Sequence, residues 1–164
     1  MVTKVEEVKN LVELGIKKPK EAFPKVKQLA QSGDWKVREV AATCLVEIGK
    51  RKADEVIQKM TQWADDANPS VRRASSEGLR GIARRNPDKV LPIIKKLKTD
   101  DNLYVKKSVA NVLRNASKYA SAFVFELCRK WAKLNNQNTS WIIKDGMEKL
   151  PTKEQERLKS LIGE

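Results

Sequence analysis

The sequence predicts an all-α solenoid of about four two-helix repeats, stacked with a 34-residue period and closed by a capping helix at each end. Three observations carry this reading. Shifting the chain by 34 residues superposes Asp34, Asn68 and Asn102, all good helix N-cap residues. The same shift aligns Val37, Val71 and Val105 and, eight residues further on, Leu45, Leu79 and Leu113. A second set of columns, Val56–Val90–Val124 and Leu29–Trp63–Leu97–Trp131, obeys the same period. Each repeat therefore holds two helices.

Taken in order, helices are expected near 3–15, 20–31, 35–50, 53–65, 69–85, 87–98, 103–118, 120–134, 140–149 and 152–162. Pro69, Pro87 and Pro151 suit first-turn positions, where the missing N–H costs nothing. Pro24 and Pro92 fall within or near the first turn of their helices. The fourth copy of the second helix reads as offset by a few residues, with Thr139 as cap followed by Ile142 and Leu150. Thr152 with Gln155 has the spacing of a capping box. The opening helix (Val2, Val5, Val8, Leu11, Val12) and the closing helix (Leu158, Leu161, Ile162) are expected to cover the end faces of the stack. One domain, residues 1–164, would then contain repeats near 20–50, 53–85, 87–118 and 120–150, with caps at 1–16 and 151–164. Trp63 and Trp131 recur in a core column and are expected to pack inside.

Composition narrows the chemistry. There is no histidine, which excludes a His-bearing zinc site, a Ser-His-Asp triad and a Cys-His dyad. Cys44 and Cys128 lie inside apolar helical patterns and read as small buried hydrophobes of a reducing cytoplasm. No cofactor or metal motif is present. No apolar run approaches the roughly 18 residues that a membrane helix needs, and residues 1–20 do not read as a signal peptide. The charge is 34 − 21 = +13, which attracts polyanions.

The placement of that charge is informative. On the second helix of repeat two, Val71, Ala74, Ser75, Gly78 and Ile82 share one inward face. Arg73, Ser76, Glu77, Arg80 and Arg84 lie opposite. The 34-residue shift sets Lys107, Asn111, Arg114 and Lys118 beside them, and Lys144 extends the first column. These cations read as unpaired, with Glu77 and Glu148 the only opposing acids. A merely solvated face would mix signs in i, i+4 pairs. Tyr104 and Trp141 read as sharing the turn position before the basic column, where they either stack on a sugar or base or cover the turn. The pairs Asp66–Arg72 and Asp100–Lys106 suggest a structural ion-pair ladder.

The stretches Asn68–Arg80 (NPSVRRASSEGLR), Asp101–Lys118 (DNLYVKKSVANVLRNASK) and Thr139–Leu150 (TSWIIKDGMEKL) resemble the HEAT-like repeat family of bacterial DNA alkylation repair proteins, which includes alkylpurine DNA glycosylases. The resemblance covers roughly Gln58 to Leu150. It implies a basic concave groove that grips duplex DNA by its phosphates, with Arg73, Glu77, Arg80, Lys107, Asn111 and Arg114 facing it. Family glycosylases excise alkylated bases with an acidic residue and aromatics on that surface. Glu77 is the first candidate for the acid, set against a structural role in a salt bridge to Arg73, Arg80 or Arg84. No acid flanked by paired tryptophans is apparent, because Trp63 and Trp131 fall in core columns. The competing reading is a scaffold whose basic groove holds an acidic protein partner.

Overall fold

The structure, a computed structural model, describes residues 3–164; Val2 of the expected opening face lies outside them. Among these residues ten helices follow in order: α1 (Lys4–Lys17), α2 (Pro19–Ala30), α3 (Trp35–Gly49), α4 (Ala53–Trp63), α5 (Pro69–Glu77), α6 (Arg80–Arg85), α7 (Pro87–Leu97), α8 (Leu103–Ala132), α9 (Gln137–Gly146) and α10 (Thr152–Leu161). The fold is an α-solenoid. α2, α4, α7 and the second half of α8 are the first helices of successive repeats. α3, α5 with α6, the first half of α8, and α9 are the second helices and pack on one another along the stack.

The period is written in the backbone. Lys18, Lys52, Asn86 and Ala120 stand 34 residues apart and share one corner conformation, with φ between −127° and −144° and ψ between 50° and 75°. Each corner turns the chain into the next first helix, from α1 at Lys18 and from a second helix at the other three. At Ala120 the corner is tight enough that the two helices run on as the single 30-residue α8. The expected boundary between 118 and 120 is therefore a kink with no loop.

The N-caps repeat too. The side chains of Asp34, Asn68, Asn102 and Asn136 each accept from the backbone N–H two residues on, at 2.9–3.0 Å. The fourth cap is thus Asn136, in strict 34-residue register, and the expectation of an offset copy capped by Thr139 is corrected. Thr139 occupies the column of Val37, Val71 and Val105 and is fully buried. A hydroxyl is tolerated there because it donates to the Lys98 carbonyl at 2.7 Å. Met147, not Leu150, completes the leucine column. The Thr152–Gln155 capping box is also absent: Pro151 caps α10 without a side-chain bond, and Gln155 Nε2 donates to the carbonyls of Leu150 and Glu148. Such a box does form at the other end, between Thr3 and Glu6.

The expected helix at 69–85 is interrupted at Gly78–Leu79. A Cβ on Gly78 would meet Leu45 Cβ and Cδ1 of α3 at 2.9 Å, so the glycine lets two second helices touch. Trp63 and Trp131 are both buried at 4% exposure, as their column required. At the ends, Leu11 and Leu158 are buried, whereas Val5 is 78% and Leu161 51% exposed. The caps seal with fewer residues than the apolar pattern suggests.

The polar ladder exists but runs one repeat further along. Arg72 Nε meets Asp100 at 2.8 Å, not the Asp66 carboxylate, whose partner is Lys27 at 3.0 Å. Lys106 Nζ donates to Asn138 Oδ1 at 3.1 Å instead of meeting Asp100. The aspartates are already occupied locally, accepting from the N–H groups of Asn68 and Asn102. Their outer oxygens then face the cation of the preceding repeat.

Candidate nucleic-acid interface

The face of the second helices carries the basic columns, and the structure divides them into two kinds. Arg73 and Arg80 reach Glu39 of α3 at 3.7 and 3.4 Å, and Arg80 also reaches Glu77 at 3.4 Å. Arg114 bonds Asp145 at 2.9 Å, and Lys144 pairs with Glu164 at 2.9 Å. These four residues were expected to be unpaired and are not. Apart from Glu77, three residues before Arg80, their acids come from neighbouring repeats or distant segments, which a scan along one helix does not bring together. Arg84, Lys107 and Lys118 have no carboxylate partner among the described residues. Arg84 Nε donates to Asn115 Oδ1 at 2.8 Å, and the two lysines lie over the rings of Tyr104 and Tyr119.

At the C-terminal ends of the second helices Arg84 and Lys118, but not Lys107, line two adjoining clefts of about 560 and 450 Å³, which share Arg84, Asn111 and Asn115. The first adds Lys50, Arg80, Arg85 and Tyr119; the second adds Arg114, Lys118 and Lys149. No carboxylate lines either one. Lys50, Arg85, Asn115 and Lys149 were not among the expected site residues. They enter because adjacent turns of different repeats converge there.

Glu77 is only 7% exposed. Asn111 Nδ2 donates to its Oε2 at 3.4 Å, and Arg80 lies on the same oxygen. Burial pushes its carboxyl above the ordinary range despite the nearby Arg80 and Arg73 charges. An enclosed carboxylate already held by two donors has little reach toward a ligand.

A third cleft, of about 570 Å³, lies between α9 and the end of the chain and is lined by Trp141, Lys144, Asp145, Glu148 and Glu164, among others. With Asn136 as cap, Trp141 falls in the column of Glu39, Arg73 and Lys107, and Asp145 in that of Glu77 and Asn111. Tyr104 is 60% exposed, and its repeat equivalent is Asn138, so Tyr104 and Trp141 do not share a position. Lys144 falls in the Ala110 column, outside the basic row. Trp141 is half-buried with Lys106 Nζ 5.3 Å from its ring centre. The Asp145 side chain is 40% exposed. Arg114 donates to its Oδ2 and to its backbone carbonyl, and no donor among the described residues reaches Oδ1. An accessible acid one turn from an aromatic is thus present where none was expected. The strict 34-residue register was the signal that would have found it.

Cys44 and Cys128 are free and buried, and burial pushes their thiols up to about 11 and about 12. Neither is a nucleophile near neutral pH. Among the described residues no group of three His, Cys, Asp or Glu side chains could hold a metal ion. None of the described helices is long and apolar enough to cross a membrane.

Residues 8–150 match the family described as DNA alkylation repair enzyme. The chain belongs to the DNA alkylation repair family. No curated protein matches it. Its fold is similar to that of the alkylpurine DNA glycosylase AlkC of Pseudomonas fluorescens bound to DNA containing an abasic site analog. That likeness has 25% identity and a TM-score of 0.81, over 97% of this chain and 45% of that one. It is also similar to AlkD2 from Streptococcus mutans, at 28% identity and TM-score 0.74 over 88% of this chain and 72% of that one. A third likeness is to smu.31 of Streptococcus mutans UA159, at 28% identity and TM-score 0.73 over 88% and 74%. The chain spans less than half the length of AlkC. Membership of the DNA alkylation repair family agrees with the resemblance seen in the three repeat stretches and with the solenoid built from them.

Proposed function

We propose that this member of the DNA alkylation repair family grips duplex DNA by its phosphates along the second-helix face. The observation that carries this is the pair of adjoining clefts with seven cations and no carboxylate on their walls. Arginine forks and lysine ammonium groups suit phosphate oxygens. Each phosphate neutralised releases counterions, so affinity should fall steeply with salt and depend little on sequence. Arg84, Lys107 and Lys118, which have no competing acid, are the first contacts; Arg73, Arg80, Arg114 and Asn111 flank them. The known DNA complex of AlkC supports this reading. The test is fluorescence anisotropy of a short duplex over a salt series. A log–log slope of several units supports the assignment. No binding at low salt rejects it, and competition by an acidic peptide in place of DNA would favour the scaffold alternative.

The Trp141–Asp145 cleft favours a second, catalytic reading: excision of an alkylated purine. Alkylation puts positive charge on the base. When the C1′–N bond breaks, its electron pair leaves with the base and neutralises it, and positive charge moves to the sugar. Water then adds to C1′ and gives up a proton. Asp145 Oδ1, which has no protein donor, is suited to stabilise that sugar cation electrostatically. Trp141, whose ring already carries Lys106 Nζ at 5.3 Å, forms an aromatic wall of the same cleft. Glu77 is the poorer acid because of its enclosure. Release of free alkylated base from treated DNA is the measurement, and none at high protein concentration would reject catalysis.

A further inference from the structure

Glu39 stands in the column that places Arg73, Lys107 and Trp141 in the next three repeats. Where repeats two and three carry cations, repeat one carries an acid. Its side chain is 44% exposed and engages two guanidinium groups at once, Arg73 Nη2 at 3.7 Å and Arg80 Nη2 at 3.4 Å. Arg80 Nε is meanwhile held by Glu77 at 3.4 Å, so its outer nitrogen is turned toward Glu39. Two guanidinium groups converging on one exposed oxygen-bearing group is the geometry they would offer a phosphate. One repeat further on the arrangement changes, because Lys107 lies over Tyr104 and meets no carboxylate.

We propose that Glu39 sets the N-terminal limit of the DNA footprint by occupying, with its own carboxylate, the phosphate position formed by Arg73 and Arg80. This deepens the DNA-binding reading above and rests on it. A phosphate that approaches the two arginines must displace Glu39 and then lie beside its negative charge. The exchange replaces one anion by another and adds little to binding. The duplex is therefore held from Lys107 and Arg84 onward, and of repeat one the only cation that borders the footprint is Lys50, on the wall of the first cleft. Overall affinity is kept below what the cation count alone would allow.

The test is Glu39→Gln, titrated with the same duplex over the same salt series as the wild type. Freeing the two arginines adds one neutralised phosphate, so the log–log slope should steepen by about one, and the dissociation constant at low salt should fall by several-fold. Glu126→Gln is the control: it removes the same charge from α8, where Glu126 pairs among the described residues only with its neighbour Arg129, and should change the slope little. Glu39→Lys, which continues the cation column into repeat one, should steepen it further. Equal slopes for wild type and Glu39→Gln, or an equal effect from Glu126→Gln, would overturn the inference while leaving DNA binding intact. A wild type that binds no duplex at low salt would overturn the DNA reading and this inference with it.

Discussion

Glu77 and Asp145 occupy the same repeat position two periods apart, yet one carboxylate is enclosed and the other is open. α8 covers Glu77 with Asn111, the residue of the intervening repeat. Beyond α9 no further second helix follows among the described residues, so Asp145 keeps one oxygen accessible while Arg114 holds the other. One repeat position is thus structural in the middle of the stack and exposed near its end.

That contrast separates two substitutions. Asp145→Asn is expected to lower release of alkylated base by about a hundredfold or more, on the scale of losing one preorganised electrostatic group, with duplex binding retained. Glu77→Gln is expected to leave release within a few-fold of wild type. Quantifying free base from alkylated DNA under single-turnover conditions checks both, and the reverse ranking would return the catalytic role to Glu77.

The cations without acidic partners are expected to dominate binding. The double charge reversal Arg84→Glu, Lys118→Glu should reduce the salt slope by about two, one for each phosphate that the protein no longer neutralises. Its circular dichroism spectrum should remain that of the wild type, since neither side chain supports a neighbouring repeat through an ion pair. Anisotropy titration reads the outcome. An unchanged slope would remove the clefts from the interface.

The raised carboxyl of Glu77 has a consequence for stability. The native state favours its protonated form relative to the unfolded chain, so its contribution is fully present below the ordinary value of 4.5. That contribution disappears as pH rises through the higher native value. Comparing Tm of wild type and Glu77→Gln across pH 4 to 8 isolates this group, because the other carboxylates cancel in the difference. Wild type should gain on the variant as pH falls. A difference that moves the other way would mean that Arg80 and Arg73 outweigh burial.

The register of the fourth repeat is testable by its caps. Asn136→Ala should cost about 1 kcal/mol of unfolding free energy in urea, the usual value for removing an N-cap side chain. Thr152→Ala should be close to neutral, because Thr152 does not cap α10. Similar costs for both would restore the offset reading.

Much of this protein is determined by sequence alone because a repeat must bury the same positions each time it stacks. Val37, Val71 and Val105, with Trp63 and Trp131, announce the period, the two helices per repeat and the core, since a buried apolar column tolerates few alternatives. The family resemblance and the side of the solenoid that carries the cations are legible for the same reason. The fourth repeat is blurred by Thr139, which fills a valine position through a hydrogen bond to Lys98, 41 residues away. Only the tertiary structure decides which cations are free. Glu39 reaches Arg80 across 41 residues and Asp145 reaches Arg114 across 31, and such pairs depend on how far one repeat is rotated on the next. Burial separates Glu77 from Asp145 in the same way: both are acids on the same helical face, and what stacks above each sets its environment.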